Sequence, residues 1–233
     1  RIVQISDVHV GLIGRERLLD AMAAAVRAAE PDLLISTGDL VDGQIDHILP
    51  AGELLRSLPA RYGKFAITGN HEFYAGLDDA LAFTRGSGFR MLRDEDVLAA
   101  GAIRIVGIDD LPGHGFARPS EVTERSLLQA PDSGRFTLLL KHKPLIERDS
   151  AGLFDLQLSG HTHGGQLFPF SLITGLFFPY HAGRYDVPGG GILYVSRGTG
   201  TWGPPIRLGA PPEITVIDLV RSAPPSPHAS DAS

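Results

Sequence analysis

Five short segments of the sequence carry the side chains that could do chemistry. They are 7–9 (DVH), 38–42 (GDLVD), 69–72 (GNHE), 141–144 (KHKP) and 160–165 (GHTHGG). Carboxylate, amide and imidazole groups of this kind bind divalent transition-metal ions. The 233 residues include nine histidines and no cysteine, so a metal site must use oxygen and imidazole ligands. Thiol catalysis, disulfide scaffolds, thiolate zinc sites and iron–sulfur clusters are excluded.

Each segment directly follows a stretch with the pattern of a β-strand. Short apolar runs predict strands at 1–5, 32–37, 62–68, 136–140 and 156–159. Because ligands bind at the carboxyl ends of strands that are joined by helical crossovers, the polar groups should meet in one crevice. Seven such groups exceed the needs of one ion, so we expect two ions that share a carboxylate.

Two of the segments carry polar side chains at positions i and i+2. These pairs are Asp7 with His9 and His161 with His163. In an extended chain such residues point to the same side, so each pair is expected to converge on one point. The glycines that precede Asn70 and His161 should let the backbone turn sharply where each strand ends.

The remaining pattern indicates an α/β fold. Helices are predicted at 15–30, 45–58, 77–85 and 120–129, a hairpin at 97–108, and further strands at 192–196 and 213–220. These are more strands than one short sheet can hold, which favours a β-sandwich of two packed sheets flanked by helices. Without an internal repeat or linker, residues 1–221 are expected to form a single domain. Residues 222–233, rich in Pro, Ser and Ala, are expected to be a disordered tail.

The motifs DxH, GDxxD, GNHE, HxP and GHTH, in this order, resemble those of the calcineurin-like metallophosphoesterase family. The resemblance covers nearly the whole chain. The strings at 5–7, 36–39, 160–166 and 197–200 look like one bacterial branch, which includes envelope-associated phosphoesterases and a lipid A pathway pyrophosphatase. The resemblance implies a two-sheet sandwich in four α/β/β/α layers. It also implies an enzyme, a dinuclear metal-dependent phosphoesterase.

The resemblance implies two sets of four metal ligands that share one carboxylate, that of Asp39. The first set is Asp7, His9, Asp39 and His163. The second set is Asp39, Asn70, His142 and His161. His71 would be the catalytic histidine, which donates to the leaving oxygen or to a phosphoryl oxygen. Asp42 would orient a histidine ligand.

The reaction implied by the resemblance is hydrolysis of a phosphoester by in-line attack of a hydroxide that bridges both ions. Mn, Zn, Fe, Co and Ni all suit mixed His, Asp and Asn ligands, and Mn is favoured. The substrate is expected to be a phosphodiester, a pyrophosphate or a monoester, linked to a lipid or to a nucleotide.

Two other functions stay open. One is a metal-dependent nuclease. The formal net charge of −6 and the lack of interleaved basic and aromatic residues count against it, and no stable nucleic-acid partner is expected. The other is a non-catalytic metal-binding scaffold of the same fold, and the presence of His71 counts against that function.

For three residues outside the proposed ligand sets, the sequence allows two different roles. Arg197 could contact a substrate phosphate, although a tight turn at 197–201 is favoured. His114 could reach substrate from its loop or have no role. Glu72 could tune His71 or could simply face solvent.

Residues 167–180 are crowded with large apolar side chains. Core packing is the default interpretation, and the rival is an exposed apolar rim that receives a lipid tail or touches a membrane. The branch resemblance favours the rival, and with it a bacterial cell-envelope or membrane-associated protein rather than a cytoplasmic one. No apolar run reaches the ~20 residues that span a bilayer. Because the chain starts within a predicted strand and without Met, we expect that a preceding segment was removed.

Overall fold

Two β-sheets form the centre of the computed structural model, which describes residues 1–11, 16–43, 48–110, 122–129 and 134–221. The strands are β1 (Ile2–Ile5), β2 (Leu33–Ser36), β3 (Lys64–Ala66), β4 (Arg90–Met91), β5 (Glu95–Ala99), β6 (Ile103–Gly107), β7 (Phe136–Leu140), β8 (Leu156–Ser159), β9 (Gly183–Asp186), β10 (Ile192–Val195) and β11 (Thr215–Ile217). The helices are α1 (Glu16–Ala29), α2 (Leu49–Arg56), α3 (Asn70–Ala75), α4 (Leu77–Gly86), α5 (Glu124–Leu128) and α6 (Phe170–Phe177). Single 3₁₀ turns lie at Arg148–Ser150 and His163–Gly165.

Both sheets are built mainly from parallel strands. The first sheet has the order β11-β1-β2-β3-β4, with β11 antiparallel to β1 and the other strands parallel. The second has the order β5-β6-β7-β8-β10-β9, with the two edge strands antiparallel to their neighbours. The carboxyl ends of β1, β2 and β3 are therefore on one edge of the first sheet, and those of β6, β7, β8 and β10 on one edge of the second.

Successive side chains of β1 and β2 alternate between two apolar clusters, one on each face of the first sheet. Ile2 and Leu33 turn toward the second sheet and join an apolar cluster that includes Leu138. Their neighbours Val3 and Leu34 turn to the opposite face and pack with side chains of α1, α2 and α4. A side-chain period of two produces this division of one strand between two cores.

The outer faces of both sheets are covered. Met22 of α1, Leu55 of α2 and Leu81 of α4 are buried against the first sheet. On the far side of the second sheet, Leu139 and Leu193 pack with Leu128 of α5 and other buried side chains. The layers are thus helices, sheet, sheet and a helix-containing outer layer, which confirms the expected two-sheet sandwich.

The structure differs from the predicted elements in a few places. The expected strand at 213–220 is only three residues long as β11, and the expected helix at 120–129 begins at Glu124 behind an N-cap made by Thr123. The helices α3 and α6 and the strands β4 and β9 are additional. The helix α6 contains no charged residue, so no charged face gave a helical period to detect. The predicted tail, 222–233, lies outside the described residues.

Candidate metal centre

The loops after β1, β2, β3, β7 and β8 meet and bring the predicted ligands together. Three groups of ligand atoms each lie within 4.8 Å of one another: Asp7 with His9 and His163, His9 with Asp39 and His71, and Asp39 with His142 and His161. All of these side chains are buried or half-buried. The clustering is what parallel strands with crossover connections lead one to expect, because their carboxyl ends share an edge.

Left-handed backbone, rather than extended backbone, makes the paired ligands converge. The angle φ is +53° at Asp7, +52° at His9, +50° at Asp39, +72° at His161 and +52° at His163. The expectation that residues i and i+2 converge through extended chain is therefore wrong in its geometry. Such φ values cost non-glycine residues on the order of 1–3 kcal/mol each, and they persist only where the surroundings hold them.

Glycine allows the loops to approach each other closely. Gly160 lies against the side chains of Ser6 and Asp7, and Gly69 lies against the backbone and carboxylate of Asp39. A Cβ atom at either glycine would overlap these neighbours. The glycines of the GHTH and GNHE motifs are thus required for space between loops. The backbone of Gly69 is extended, at φ −103° and ψ −168°, so the sharp turn expected from the sequence is not what requires glycine there.

The first half-site consists of Asp7, His9 and His163. The Nε2 atom of His163 lies 3.3 Å from Oδ1 of Asp7 and 3.1 Å from Nε2 of His9. The Asp7 carboxylate also accepts the backbone N–H of His161, at 3.0 Å and 3.1 Å from its two oxygens. That hydrogen bond ties the loop after β1, in the first sheet, to the loop after β8, in the second.

The second half-site consists of Asp39, His142 and His161. The Nε2 atom of His142 lies 3.1 Å from Oδ2 of Asp39 and 3.2 Å from Nδ1 of His161. On its other side, His142 donates its Nδ1–H to the carbonyl oxygen of Thr37 at 2.7 Å. This bond holds the ring of His142 so that its Nε2 is directed at the half-site.

The position of Asp39 and the surroundings of Asn70 show whether the clustered side chains could hold two cations. Oδ2 of Asp39 is 4.0 Å from Nε2 of His9, so the carboxylate lies between the half-sites. Asn70 is buried, lines the same cavity as Asp39 and His161, and its Oδ1 has no hydrogen-bond partner among the described residues. An orphaned buried oxygen is costly, and a cation beside it would satisfy it. The donor set of carboxylates, imidazoles and one amide oxygen therefore fits a pair of divalent ions.

The charges of the centre are strongly coupled. Burial opposes ionisation of Asp39, but His142, His9 and His71 hold the pKa of its carboxyl well below the usual range. Burial also disfavours a charged His142, yet Asp39 raises the pKa of that imidazole to about 10. Burial and the neighbouring His142 lower the pKa of His161 to about 3, and burial lowers that of His163 to about 4. The carboxylates are therefore ionised and His161 and His163 are neutral, as metal ligands must be, whereas His142 is charged and would release its Nε2 proton on binding an ion.

His71 and Asp42 form a pair beside the half-sites. Nδ1 of His71 donates to Oδ1 of Asp42 at 3.0 Å, and the backbone N–H of His71 donates to Oδ1 of Asp39 at 2.8 Å. Burial opposes a charged His71, but the hydrogen bond to Asp42 raises its pKa. The second oxygen of Asp42 lies 3.4 Å from Nδ1 of His9. The structure thus brings Asp42 to two histidines of the centre.

Glu72 fits one of the two interpretations drawn from the sequence, because its charge adds to those of Asp42 and Asp39 in raising the pKa of His71. Its side chain is buried and does not face solvent. Its carboxylate accepts four backbone N–H groups, those of Asp39 at 3.0 Å, Leu40 at 2.7 Å, Val41 at 3.3 Å and Gly69 at 2.7 Å. Glu72 therefore shapes the loop that carries Asp39 and joins it to the loop after β3.

Arg207 is a residue of the centre that the sequence motifs missed. Its guanidinium donates to the carbonyl oxygens of Arg197 at 2.8 Å, Gly200 at 2.8 Å and Ala210 at 3.0 Å. Its Nη2 also lies 3.1 Å from Nδ1 of His163. Arginine always donates, so Nδ1 of His163 accepts here, and in the neutral ring Nε2, which points toward Asp7, carries the proton that a metal ion would displace. The only sequence signal is a single charged residue in the otherwise uncharged run 198–212.

A cavity of about 730 Å³ opens beside the centre. Its lining includes Asp39, Asn70, His71, His161 and His163 and, on another side, the apolar residues Tyr74, Leu167, Phe178, Trp202 and Pro204. Arg197 is not part of this lining, and its Nε–H donates to Glu213 at 2.7 Å. His114 lies outside the described residues.

Core packing is the wrong interpretation for much of the segment 167–180. Leu176 is 84% exposed and Phe177 is 75% exposed, and Phe168 and Leu172 are each more than half exposed. The segment therefore forms an apolar rim beside the cavity. None of the described helices has both the length and the apolar character needed to cross a bilayer.

Comparison with known proteins gives relatives along nearly the whole chain. A family model for calcineurin-like phosphoesterases matches residues 1–165. An uncharacterised metallophosphoesterase of Aquifex aeolicus is 38% identical over 220 residues, which cover 94% of this chain and 84% of the relative. A transmembrane protein with metallophosphoesterase domain from Danio rerio is 33% identical over 94% of this chain and 53% of its own length. The chain spans about three-fifths of its relatives from Helicobacter pylori (60%) and Campylobacter jejuni (59%).

Solved structures share the fold at low sequence identity. A dimetal phosphatase from Danio rerio has a TM-score of 0.54 and 16% identity, over 85% of this chain and 87% of that one. At this identity the likeness concerns the arrangement of sheets and helices alone. Because the matched stretch carries all five motifs and a relative is 38% identical along almost the entire sequence, the chain belongs to the calcineurin-like phosphoesterase family.

Proposed function

We propose that this chain is a hydrolase of phosphoesters that depends on two divalent metal ions. The observation that carries the proposal is the position of Asp39, whose carboxylate oxygen is 3.1 Å from His142 and 4.0 Å from His9. A carboxylate between two ligand groups is what keeps two ions close to each other. In this proposal the two ligand sets are those expected from the sequence, and Asn70 completes the second half-site. Family membership supports the hydrolase class.

His71 would donate the proton in this reaction, and Asp42 would orient His71. When bound, two divalent ions supply an activated water and neutralise the charge of the phosphate. Hydrolysis joins the water oxygen to phosphorus, breaks the ester P–O bond and gives a proton to the leaving oxygen. Asp42 accepts the Nδ1–H of His71 at 3.0 Å and raises the pKa of the ring, so the protonated His71 would have an Nε2–H to give to the leaving oxygen or to donate to a phosphoryl oxygen.

The substrate would be a phosphodiester, a pyrophosphate or a monoester with a bulky group. The open cavity of about 730 Å³ has room for such a group beside the phosphate. Among the described residues that line it there is no Lys or Arg to follow a nucleic-acid backbone, which disfavours a nuclease. Arg197 is the weaker part of the proposed substrate contacts because Glu213 already accepts its Nε–H.

The proposal also covers the identity of the metal ions and the cellular location of the protein. Mn is the favoured metal, since a ligand set of imidazole, carboxylate and amide oxygen without a thiolate accepts it. A role at a membrane or cell envelope is proposed as well. Two vertebrate relatives, from Danio rerio and Bos taurus, carry the name of a transmembrane protein with metallophosphoesterase domain, which supports this role.

The proposed activity is tested with bis(p-nitrophenyl) phosphate on protein stripped by chelator and reloaded with Mn²⁺, Zn²⁺ or Co²⁺. Turnover should depend on the added metal, with two ions bound per chain by elemental analysis. Asp39→Asn should abolish turnover, whereas the exposed Asp78→Asn should keep it. Two bound ions without turnover of any phosphoester would instead support the scaffold function.

A further inference from the structure

The cavity beside the metal centre has two unlike walls. One wall carries Asp39, His71 and the other polar groups of the proposed centre. The other wall is formed by Leu167, Phe178, Trp202 and neighbouring apolar groups. A phosphate group needs only the polar wall. The apolar wall therefore indicates a substrate that also has an apolar part.

The chain segments that form the apolar wall also expose large apolar side chains to solvent. We call this surface the α6 face, and its members are Phe168, Leu172, Leu176, Phe177, Trp202, Ile206 and Leu208. Each of them is more than half exposed, and Leu176 reaches 84%. An exposed cluster of this kind in a folded protein marks a surface that binds something.

Hydrogen bonds join the two segments of the α6 face. The N–H of Phe168 donates to the carbonyl of Leu208 at 2.9 Å, and the N–H of Leu208 donates to that of Gln166 at 2.9 Å. The side chain of Gln166 donates to the carbonyl of Trp202 at 2.7 Å and accepts the N–H of Trp202 at 2.7 Å. Leu167 lines the cavity while the adjacent Phe168 faces solvent, so the apolar surface continues from outside to the centre.

The charge pattern identifies the kind of partner. Residues 167–182 contain no Asp, Glu, Lys or Arg, although 21% of the whole chain is charged and the formal net charge is −6. The run 198–212 contains one, Arg207, and that guanidinium donates to backbone carbonyls. Such a face can enter the apolar boundary of a bilayer without stripping water from a charge. The exposed Trp202 and Phe177 suit the bilayer interface, where aromatic residues are enriched.

We propose that the α6 face docks on a lipid bilayer and that the substrate is an amphiphilic phosphoester drawn from it. The phosphate would lie at the metal centre, and the acyl or alkyl chain would lie along Leu167, Phe178 and Trp202. The substrate class rests on the proposed function, whereas the docking does not. A bilayer is the occupant that accounts for both features, because an ester with a phosphate at one end and a long apolar chain at the other resides in bilayers.

Vesicle sedimentation tests the docking without any need for activity. The probe is phosphatidylcholine vesicles, with and without phosphatidylglycerol, at high salt. Wild-type protein should sediment with both. The double variant Leu176→Glu, Phe177→Glu should lose about tenfold or more of its vesicle partitioning, because each buried apolar side chain is worth about a factor of ten. The matched control is Leu49→Glu, which changes a side chain of 78% exposure on α2 and should bind as wild type does.

Two results would overturn the docking. One is equal sedimentation of the double variant and wild type. The other is wild-type protein that does not bind vesicles, for example because the α6 face pairs with a second copy, which light scattering would detect as a dimer.

A chain-length series tests the substrate class. The probes are p-nitrophenyl phosphodiesters whose second group is methyl or a long alkyl chain. The long-chain ester should have a kcat/KM at least about tenfold higher, consistent with burial of several methylenes, and Trp202→Ala should shrink that ratio. Equal turnover of both esters would overturn the amphiphile while leaving the proposed function intact. No turnover of either ester would count against the proposed function, and the vesicle result would stand separately.

Discussion

Oδ1 of Asp42 accepts a hydrogen bond from Nδ1 of His71 at 3.0 Å. The other oxygen of the same carboxylate is 3.4 Å from Nδ1 of His9, and the rings of His9 and His71 meet edge to face at 4.6 Å. Asp42 therefore touches a proposed ligand and the proposed proton donor at once. An experiment can show whether Asp42 acts mainly through His9 or through His71.

The first prediction concerns Asp42→Asn. An asparagine keeps the shape but weakens the hold on His71, so kcat should fall about 10–100-fold, as for other groups that orient a working side chain. His71→Ala should lower kcat by ~10²–10⁴-fold. If Asp42 acts through His71, the double variant should be no slower than His71→Ala. A further loss in the double variant, together with less bound metal, would show that Asp42 acts through His9.

The second prediction concerns metal content. Asp39 lies between both half-sites, so Asp39→Asn should reduce the metal bound at each of them. His142→Ala removes a group of the second half-site only and should leave about one ion per chain. Elemental analysis after dialysis, combined with titration calorimetry, measures both. Two ions still bound tightly by Asp39→Asn would disprove the bridging role.

The third prediction concerns Glu72→Gln. Four backbone N–H groups point at the Glu72 carboxylate, and a glutamine would turn its own NH₂ toward some of them. Buried donors left without an acceptor should lower the free energy of unfolding by about 1–3 kcal/mol. Thermal and denaturant unfolding measure the change. The exposed Glu53→Gln on α2 is the control and should leave stability within experimental error.

The fourth prediction concerns Arg207→Lys. Lysine keeps the positive charge but cannot reproduce a planar fork that donates to five backbone carbonyls of the loops around His163. The ion of the first half-site should bind about 10–100-fold more weakly, while the second half-site keeps its affinity. Arg184→Lys, at an exposed ion pair, should change neither. If Arg207→Lys weakens both ions equally, the arginine supports the fold rather than the position of His163.

The clustering of the proposed ligands could be predicted from the sequence because each motif is short and follows a strand. Asp7, Asn70 and His161 need only the rule that parallel strands end at a shared edge. Their backbone geometry could not be predicted, since the left-handed φ at Asp7 and His161 is imposed by contacts with other loops. The close approach of Gly160 to Ser6 and Asp7 is one such contact.

Contacts between residues that are far apart in the sequence could not be predicted in this way. Glu72 bonds to Leu40, 32 positions earlier, and Arg207 reaches His163, 44 positions earlier. Nothing local marks either partner. The exposure of α6 was also undecidable from sequence, because an apolar run without a charged face has the same pattern in a core and on a rim.

Each half-site draws its side chains from both sheets of the sandwich. Asp7 and His9 follow β1 in the first sheet, and His163 follows β8 in the second. Likewise Asp39 follows β2, and His142 follows β7. A bound pair of ions would therefore cross-link the two sheets of the sandwich. Parting of the sheets would empty both positions together, so metal affinity and resistance to unfolding are two measures of one linkage.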